Sequence, residues 1–160
     1  MSPTLVRIDD RLLHGQVLLG WASSFRPERI VLASDEVAAD PERRALYASL
    51  AEGDYEICIH TLAEAAEDLG AAHARTLMVL GSTADARRLL EHGARLEGIH
   101  IGGLHHAEGK KRLLDNVFLS EQDASDLQQL LDQGVELEAR DLPGSRGVRI
   151  DRAALERLWS

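Results

Sequence analysis

The stretch Leu5-Val6-Arg7-Ile8-Asp9-Asp10-Arg11-Leu12-Leu13-His14-Gly15-Gln16-Val17 decides how the chain is read. Residues 5–9 have the composition of a short β-strand, while Val17, Leu18, Trp21, Ala22 and Phe25 fall on one face of a helix spanning 15–25. A strand passing directly into a helix is the opening unit of an open α/β sheet. Ligands of such sheets collect where strand ends meet helix starts, and His14 stands on that connection.

Outward from this unit the alternation continues. Residues 29–33, 55–60, 76–80, 98–101, 116–119 and 135–139 are further strand candidates. Asp40-Pro41 reads as an N-cap with proline in the first turn, ahead of Leu46, Tyr47 and Leu50. Thr61 with Glu64 has capping-box spacing and opens a helix that carries Leu62, Ala65, Ala66 and Leu69 to Gly70. A helix with Leu89 and Leu90 stops at Gly93, and Ser120 with Asp123 caps another bearing Leu127, Leu130 and Leu131. The apolar run 76–80 predicts a central strand covered on both faces. Alternation of apolar and acidic residues over 135–139 predicts an edge or half-exposed strand. Beyond Pro143-Gly144-Ser145 the segment 143–160 ends in a short docking helix with Leu155, Leu158 and Trp159. The expected fold is one α/β domain over 1–160: a doubly wound, mainly parallel sheet of about seven strands, helices on both faces, the last strands antiparallel at the edge.

Composition narrows the function. The 160 residues suffice for one core and are short for two. With 27 acidic and 18 basic side chains the net charge is −9, which argues against non-specific binding of nucleic acid or anionic membranes. Lys110-Lys111-Arg112 is a local exception, either a solvated face or a basic spot beside a phosphate site. Cys58, the single cysteine, lies in an apolar run and reads as a buried thiol in a reducing compartment. No leader-like segment and no apolar run of membrane-spanning length is seen, so a cytoplasmic protein without direct membrane insertion is expected.

Seven histidines raise the question of metal, with His100, His105 and His106 close together. A metal site needs converging ligands with supporting partners. No Cys-x-x-Cys, His-Glu-x-x-His or carboxylate ladder accompanies them, and neither metal nor cofactor is expected. His60, His73 and His92 read as strand-end or helix-surface residues. Neither a Gly-x-x-x-x-Gly-Lys loop nor a Gly-x-Gly-x-x-Gly fingerprint supports nucleotide binding.

His14 offers chemistry without a cofactor. Neutral imidazole is a nucleophile. A phosphoryl group on its ring would lie near the amide donors at the helix start, at Gly15 and Gln16. Arg11, three residues earlier, brings a planar fork that matches phosphate oxygens. Asp9 or Asp10 would fix the ring tautomer or hold Arg11. Ser82, in Gly81-Ser82-Thr83, and Gly102-Gly103 end the fourth and fifth strands on the same rim, where glycine admits an anion to backbone N–H groups and Ser82 adds a hydroxyl. Asp35 and Glu36 end the second strand and either shape the rim or are simply exposed. The same residues also read as a solvated loop with a helix-start histidine.

Two further classes stand beside this. A receiver-like module needs an aspartate ending its third strand and a lysine ending its fifth, whereas the chain has His60-Thr61 and Gly102-Gly103 there. A non-catalytic α/β interaction module makes no demand on His14 and Arg11.

Ile8 to Val17, followed by Trp21, resembles the opening of the enzyme IIB component of the mannose/fructose/sorbose class of the bacterial sugar phosphotransferase system. In order along the chain, Ser34-Asp35-Glu36-Val37-Ala38 with Arg43, Ile101-Gly102-Gly103-Leu104 with Glu108-Gly109-Lys110-Lys111, and Gly134-Val135-Glu136-Leu137-Glu138-Ala139-Arg140 with Pro143 resemble later segments of that family. The resemblance implies that His14 is phosphorylated on Nδ1. An enzyme IIA protein, itself charged through the histidine phosphocarrier protein from phosphoenolpyruvate, would be the donor, and the membrane IIC and IID subunits would hold the sugar. No IIA domain is recognised in this chain, so the donor would be separate. Departures are His100, where the family commonly has asparagine, and His105 and His106, where aromatic or thioether side chains are usual; all three are expected on the docking rim. A regulatory phosphohistidine carrier uncoupled from transport is the alternative within the same chemistry.

Overall fold

The run Thr76-Leu77-Met78-Val79-Leu80 is buried at every position, as an apolar strand must be when helices cover both sides of it. In the computed structural model, which describes residues 4–51, 55–71 and 74–159 apart from the side chains of Gln16 and Ala51, this run is an interior strand of a seven-stranded sheet. The strands of the chain are β1 (Thr4–Asp9), β2 (Arg29–Ala33), β3 (Glu56–His60), β4 (Thr76–Leu80), β5 (Gly98–Gly103), β6 (Lys111–Leu114), β7 (Val117–Leu119), β8 (Glu136–Ala139) and β9 (Val148–Ile150). The helices are α1 (Gln16–Trp21 continuing as Ala22–Phe25), α2 (Asp35–Ala38), α3 (Pro41–Ala48), α4 (Leu62–Gly70), α5 (Thr83–Glu91), α6 (Glu121–Asp132) and α7 (Arg152–Trp159). His73 and the first three residues lie outside the described residues.

Strand order is β3-β2-β4-β1-β5-β8-β9, parallel throughout except for β9, which runs antiparallel to β8. Alternate residues of the sheet feed two cores. Val6, Ile8, Val31, Met78, Leu80, Ile99 and Ile101 face α4, α5, α6 and α7 through Leu62, Leu89, Leu127 and Leu155. Ile30, Leu32, Leu77 and Val79 face Val17, Trp21 and Ala22 of α1, together with Leu12, Leu13 and Val37. The expected helix starts are capped as their side chains dictate: Asp40 accepts from Glu42 and Arg43 ahead of Pro41, and Thr61/Glu64 and Ser120/Asp123 form reciprocal capping boxes.

This winding places the site. β1 and β4 are neighbours, yet β1 leads to α1 on one face and β4 to α5 on the other. The chain therefore parts at their carboxyl ends and leaves a crevice, the position where open α/β sheets bind ligands.

Four expectations are corrected by the tertiary structure, and one is decided between its alternatives. Residues 116–119 do not enter the main sheet; Val117–Leu119 pairs with Lys111–Leu114 in a separate hairpin, because Lys111 and Arg112 keep one side of that ribbon in solvent. The seventh strand is instead β9, which lay unread in the tail. The segment 135–139 is half-exposed, as its alternation predicts, with Leu137 and Ala139 buried; it is not at the edge, because β9 covers β8, and its acidic side chains are met by arginines, Glu136 by Arg149 and Glu138 by Arg140. The first six residues of α1 wind as a π-helix, with Ala22 N–H bonded to the Val17 carbonyl. Val17, Trp21 and Ala22 are buried together on the face of α1 that the sequence predicts. Cys58 is only half-buried, since β3 is the outermost strand on its side.

Candidate active site

Asp9 is the last residue of β1 and is fully buried. The pairing of β1 with β5 runs Arg7 to His100 and Ile8 to Ile101, then slips to Asp9 with Gly103. That slip is a bulge, a device that re-aims a side chain at a strand end. It turns the Asp9 carboxylate inward under the loop that follows. Oδ1 accepts the Arg11 backbone N–H at 3.0 Å and the Arg11 Nε–H at 3.2 Å; Oδ2 accepts Arg11 Nη2 at 3.2 Å and lies 2.9 Å from His14 Nε2. Burial alone would raise the Asp9 pKa, but the hydrogen bonds from Arg11 and His14 together outweigh it and hold the carboxyl below the ordinary range.

An ionised carboxylate only accepts hydrogen bonds. Nε2 of His14 therefore carries the proton in this contact and Nδ1 carries the ring lone pair. One buried carboxylate thus selects the tautomer of the histidine and orients the arginine beside it. The His14 side chain is 17% exposed and that of Arg11 37%, so both reach solvent from a buried anchor.

The loop between them is held by local chemistry. Leu12 N–H bonds the Asp9 carbonyl at 2.9 Å, and Leu12 takes φ +59°, a left-handed conformation that a leucine adopts only when its surroundings fix it. Leu12 and Leu13 are buried, and the Leu12 side chain lies over Gly81, where a Cβ would come within 2.9 Å of it. Helix α1 begins directly after His14, whose carbonyl accepts Leu18 N–H at 3.0 Å.

Asp9, Arg11, His14 and Gly103 are brought into contact. Gly103 leaves room for the Asp9–Arg11 pair, since a Cβ there would lie 3.2 Å from Arg11 Nη2 and 3.3 Å from the Asp9 oxygens. Gly102 accommodates a different guanidinium: a Cβ there would overlap Arg7. Gly15 is exposed, in helical conformation at the head of α1. Ser82 caps α5 by accepting Asp85 N–H at 3.0 Å and faces the loop across a crevice of about 290 Å³, whose walls include Asp10, Leu12, Asp35 and Arg43. The side chain of Gln16 lies outside the described residues. Among the described residues, Asp10 bonds neither Arg11 nor His14; its carboxylate accepts His105 N–H at 2.7 Å and meets His105 Nδ1 at 2.5 Å. His100 is not on the rim: it packs edge-on against Trp21, with ring centroids 5.3 Å apart, below the strand end. A larger cavity of about 600 Å³ opens beyond Gly102, between the β6–β7 hairpin and the segment before β9; Asp9, Arg11 and His14 line neither it nor the smaller crevice, which the loop reaches through Asp10 and Leu12.

Arg7 escaped the sequence reading. Its guanidinium is buried, lies 4.4 Å from the Trp21 ring, and donates to the carbonyls of Arg140 at 2.7 Å and Asp141 at 3.1 Å; Trp21 Nε1–H also donates to the Asp141 carbonyl, at 2.8 Å. Burial pushes its pKa down to about 10, against the pull of Asp9, so it remains charged at neutral pH. The available signal was a lone arginine at an inward-facing position of an apolar strand.

An imidazole and a guanidinium oriented by one buried carboxylate, both reaching solvent at the strand end, suit transfer of a highly charged group between visiting molecules. Residues 3–156 match the family described as PTS system sorbose subfamily IIB component. The chain is 32% identical to the N-acetylgalactosamine-specific phosphotransferase enzyme IIB component 1 of Escherichia coli, over 91% of this chain and 94% of that one. It is also 32% identical to the PTS system mannose-specific EIIAB component of Escherichia coli, over 85% of this chain and 43% of that longer protein. The crystal structure of the IIBSor domain of the sorbose permease from Klebsiella pneumoniae superposes with a TM-score of 0.86 at 28% identity, covering 98% of each chain.

Proposed function

Because the chain belongs to the sorbose-subfamily IIB components of the sugar phosphotransferase system, we propose that the phosphoryl group it carries rides on Nδ1 of His14. Members of this family are phosphocarriers in sugar phosphotransfer, and the chain is such an enzyme. The observation that supports the assignment is the 2.9 Å contact between Asp9 Oδ2 and His14 Nε2, since a carboxylate that only accepts favours the proton on Nε2 and the lone pair on Nδ1.

In the first half-reaction Nδ1 attacks phosphorus on the phosphohistidine of a IIA protein. The donor's P–N bond breaks as the new one forms, and the proton on Nε2 of His14 stays on Asp9's side of the ring. In the second, a hydroxyl of a sugar held by the IIC and IID subunits attacks the same phosphorus, the Nδ1–P bond breaks, and the hydroxyl proton leaves to solvent. Charge spreads over the equatorial oxygens of a loose transition state in both steps, and Arg11 is placed to meet it. Asp9 orients both groups; Gly15, Gln16, Ser82 and Gly103 border the phosphoryl position with backbone and hydroxyl donors, whereas Gly102, expected there from the sequence, is set against the buried Arg7 guanidinium. IIB domains work with IIA and IIC/IID partners in general, and in the mannose-specific relative a IIA and a IIB share one name as EIIAB. For this chain, one IIB domain across 1–160, we assign a phosphorylated IIA as donor and a cytoplasmic location. No helix among the described residues is long and apolar enough to cross a membrane.

The test is incubation with phosphoenolpyruvate, the two general phosphotransferase proteins and a cognate IIA. An acid-labile, base-stable label on residue 14 with the phosphorus-31 signature of Nδ1 substitution is expected, and His14→Gln should abolish it while melting near the wild-type temperature. Acid-stable label, or label persisting in the variant, would move the site elsewhere.

A further inference from the structure

We propose that His105 is a positioning residue of the carrier site, holding the phosphoryl loop through Asp10; this rests on the reading of His14 as the carrier. The loop leaves β1 at Asp9 and must deliver Arg11 and His14 together to one phosphoryl group. Its inner end is tied by the Asp9 carboxylate. Its outer end is tied by Asp10, whose backbone N–H donates to the Gly103 carbonyl at 2.9 Å and whose two carboxylate oxygens take His105, one at the backbone N–H (2.7 Å) and one at Nδ1 (2.5 Å). Three bonds therefore fasten one residue of the loop to the exit of β5, two of them across 95 positions of sequence. The strained φ of Leu12 follows two residues later, so the loop is bent against its intrinsic preference between these anchors.

The clamp is a kinetic device and not a stabilising one. The His105 side chain is 51% exposed and that of Asp10 31%, and ion pairs in such surroundings contribute little to folding. Displacing a catalytic group by about 1 Å, in contrast, costs on the order of a hundred-fold in rate. Arg11 lies one residue beyond Asp10, within reach of such a displacement.

The experiment compares His105→Ala and His105→Asn with wild type, using phosphorylated IIA as donor and single-turnover labelling. Asparagine places its amide N–H near the position of Nδ1–H and so restores the bond to Asp10. For His105→Ala, maximal labelling rate should fall about ten- to a hundred-fold, with the half-saturating donor concentration and melting temperature near wild type; His105→Asn should recover most of the loss, and Asp10→Asn should resemble His105→Ala without adding to it in the double variant. A wild-type maximal rate in His105→Ala, a change confined to half-saturation, or no recovery in His105→Asn would overturn the proposal. Mapping the label in wild type separates the two readings: label absent from residue 14 strikes the carrier assignment, whereas label on residue 14 with an unaltered His105→Ala rate strikes only the clamp.

Discussion

Asp9→Asn keeps the shape of the side chain and takes away one acceptor oxygen. Both oxygens of Asp9 receive Arg11 donors, and the guanidinium cannot exchange donor for acceptor. His14 can. The amide therefore settles with its oxygen where Oδ1 stands, between two fixed donors, and its NH2 where Oδ2 stands, facing the imidazole. His14 must then present a lone pair at Nε2 and carry its proton on Nδ1, the tautomer that cannot attack phosphorus. Two charge-assisted bonds, from His14 and from Arg11 Nη2, are lost or inverted. At about 1.5–3 kcal/mol each, the loss amounts to about 3–6 kcal/mol, or on the order of 10²- to 10⁴-fold in labelling rate. Rapid-quench labelling of residue 14 by phosphorylated IIA reads this directly, and a wild-type rate would refute the claim that Asp9 selects the reactive nitrogen. The same variant has a pH signature. The folded-state pKa of Asp9 lies below its ordinary value, so its contribution to stability is complete above the unfolded pKa, about 3.9, and disappears as pH falls through the lower folded value. The difference in melting temperature between wild type and Asp9→Asn should accordingly shrink below about pH 4.

Three other perturbations probe different parts of the assembly. Arg11→Ala should slow labelling and onward transfer by about ten- to a thousand-fold, as loss of a charge-stabilising group does, and equal rates in quench-flow would remove it from the mechanism. Gly102→Ala places a methyl against the buried Arg7 guanidinium and should lower stability to urea by about 1–3 kcal/mol; an unchanged urea midpoint would mean that Arg7 has room to move. His100 is held below its ordinary pKa by burial, against the pull of Glu138 and helped by the positive charges of Arg7 and Arg140. Its stabilising share is present above the unfolded value of about 6.5 and is lost as pH falls through the folded one; a melting series from about pH 7.5 to 5 should show a decline that His100→Gln flattens.

Much of the α/β architecture was legible because its signals are local. Capping side chains at Asp40, Thr61 and Ser120 bond backbone a few residues away, and the nearly apolar β4 admits only an interior place in a sheet. The hairpin of β6 and β7, the placement of β9 and the π-helical turn of α1 were not legible. Each depends on what a distant segment covers: β9 covers β8, Leu142 and Pro143 lie beside Gly20 of α1, and Lys111 sits over Trp159. Arg7 was missed for the same reason, since its partners stand 133 and 134 positions away.

The sequence by itself determined that a histidine with an arginine three residues before it would stand between the first strand and the first helix, because hydrophobic period and glycine placement act over a few residues. Which of two adjacent aspartates orients that histidine was undecidable from the chain, as Asp9 and Asp10 are chemically identical. Tertiary structure decided it: the slip in β1–β5 pairing turns Asp9 inward to Arg11 and His14 and leaves Asp10 outward to His105. A strand's register against its neighbour is a non-local quantity, and it alone sets which way each side chain points.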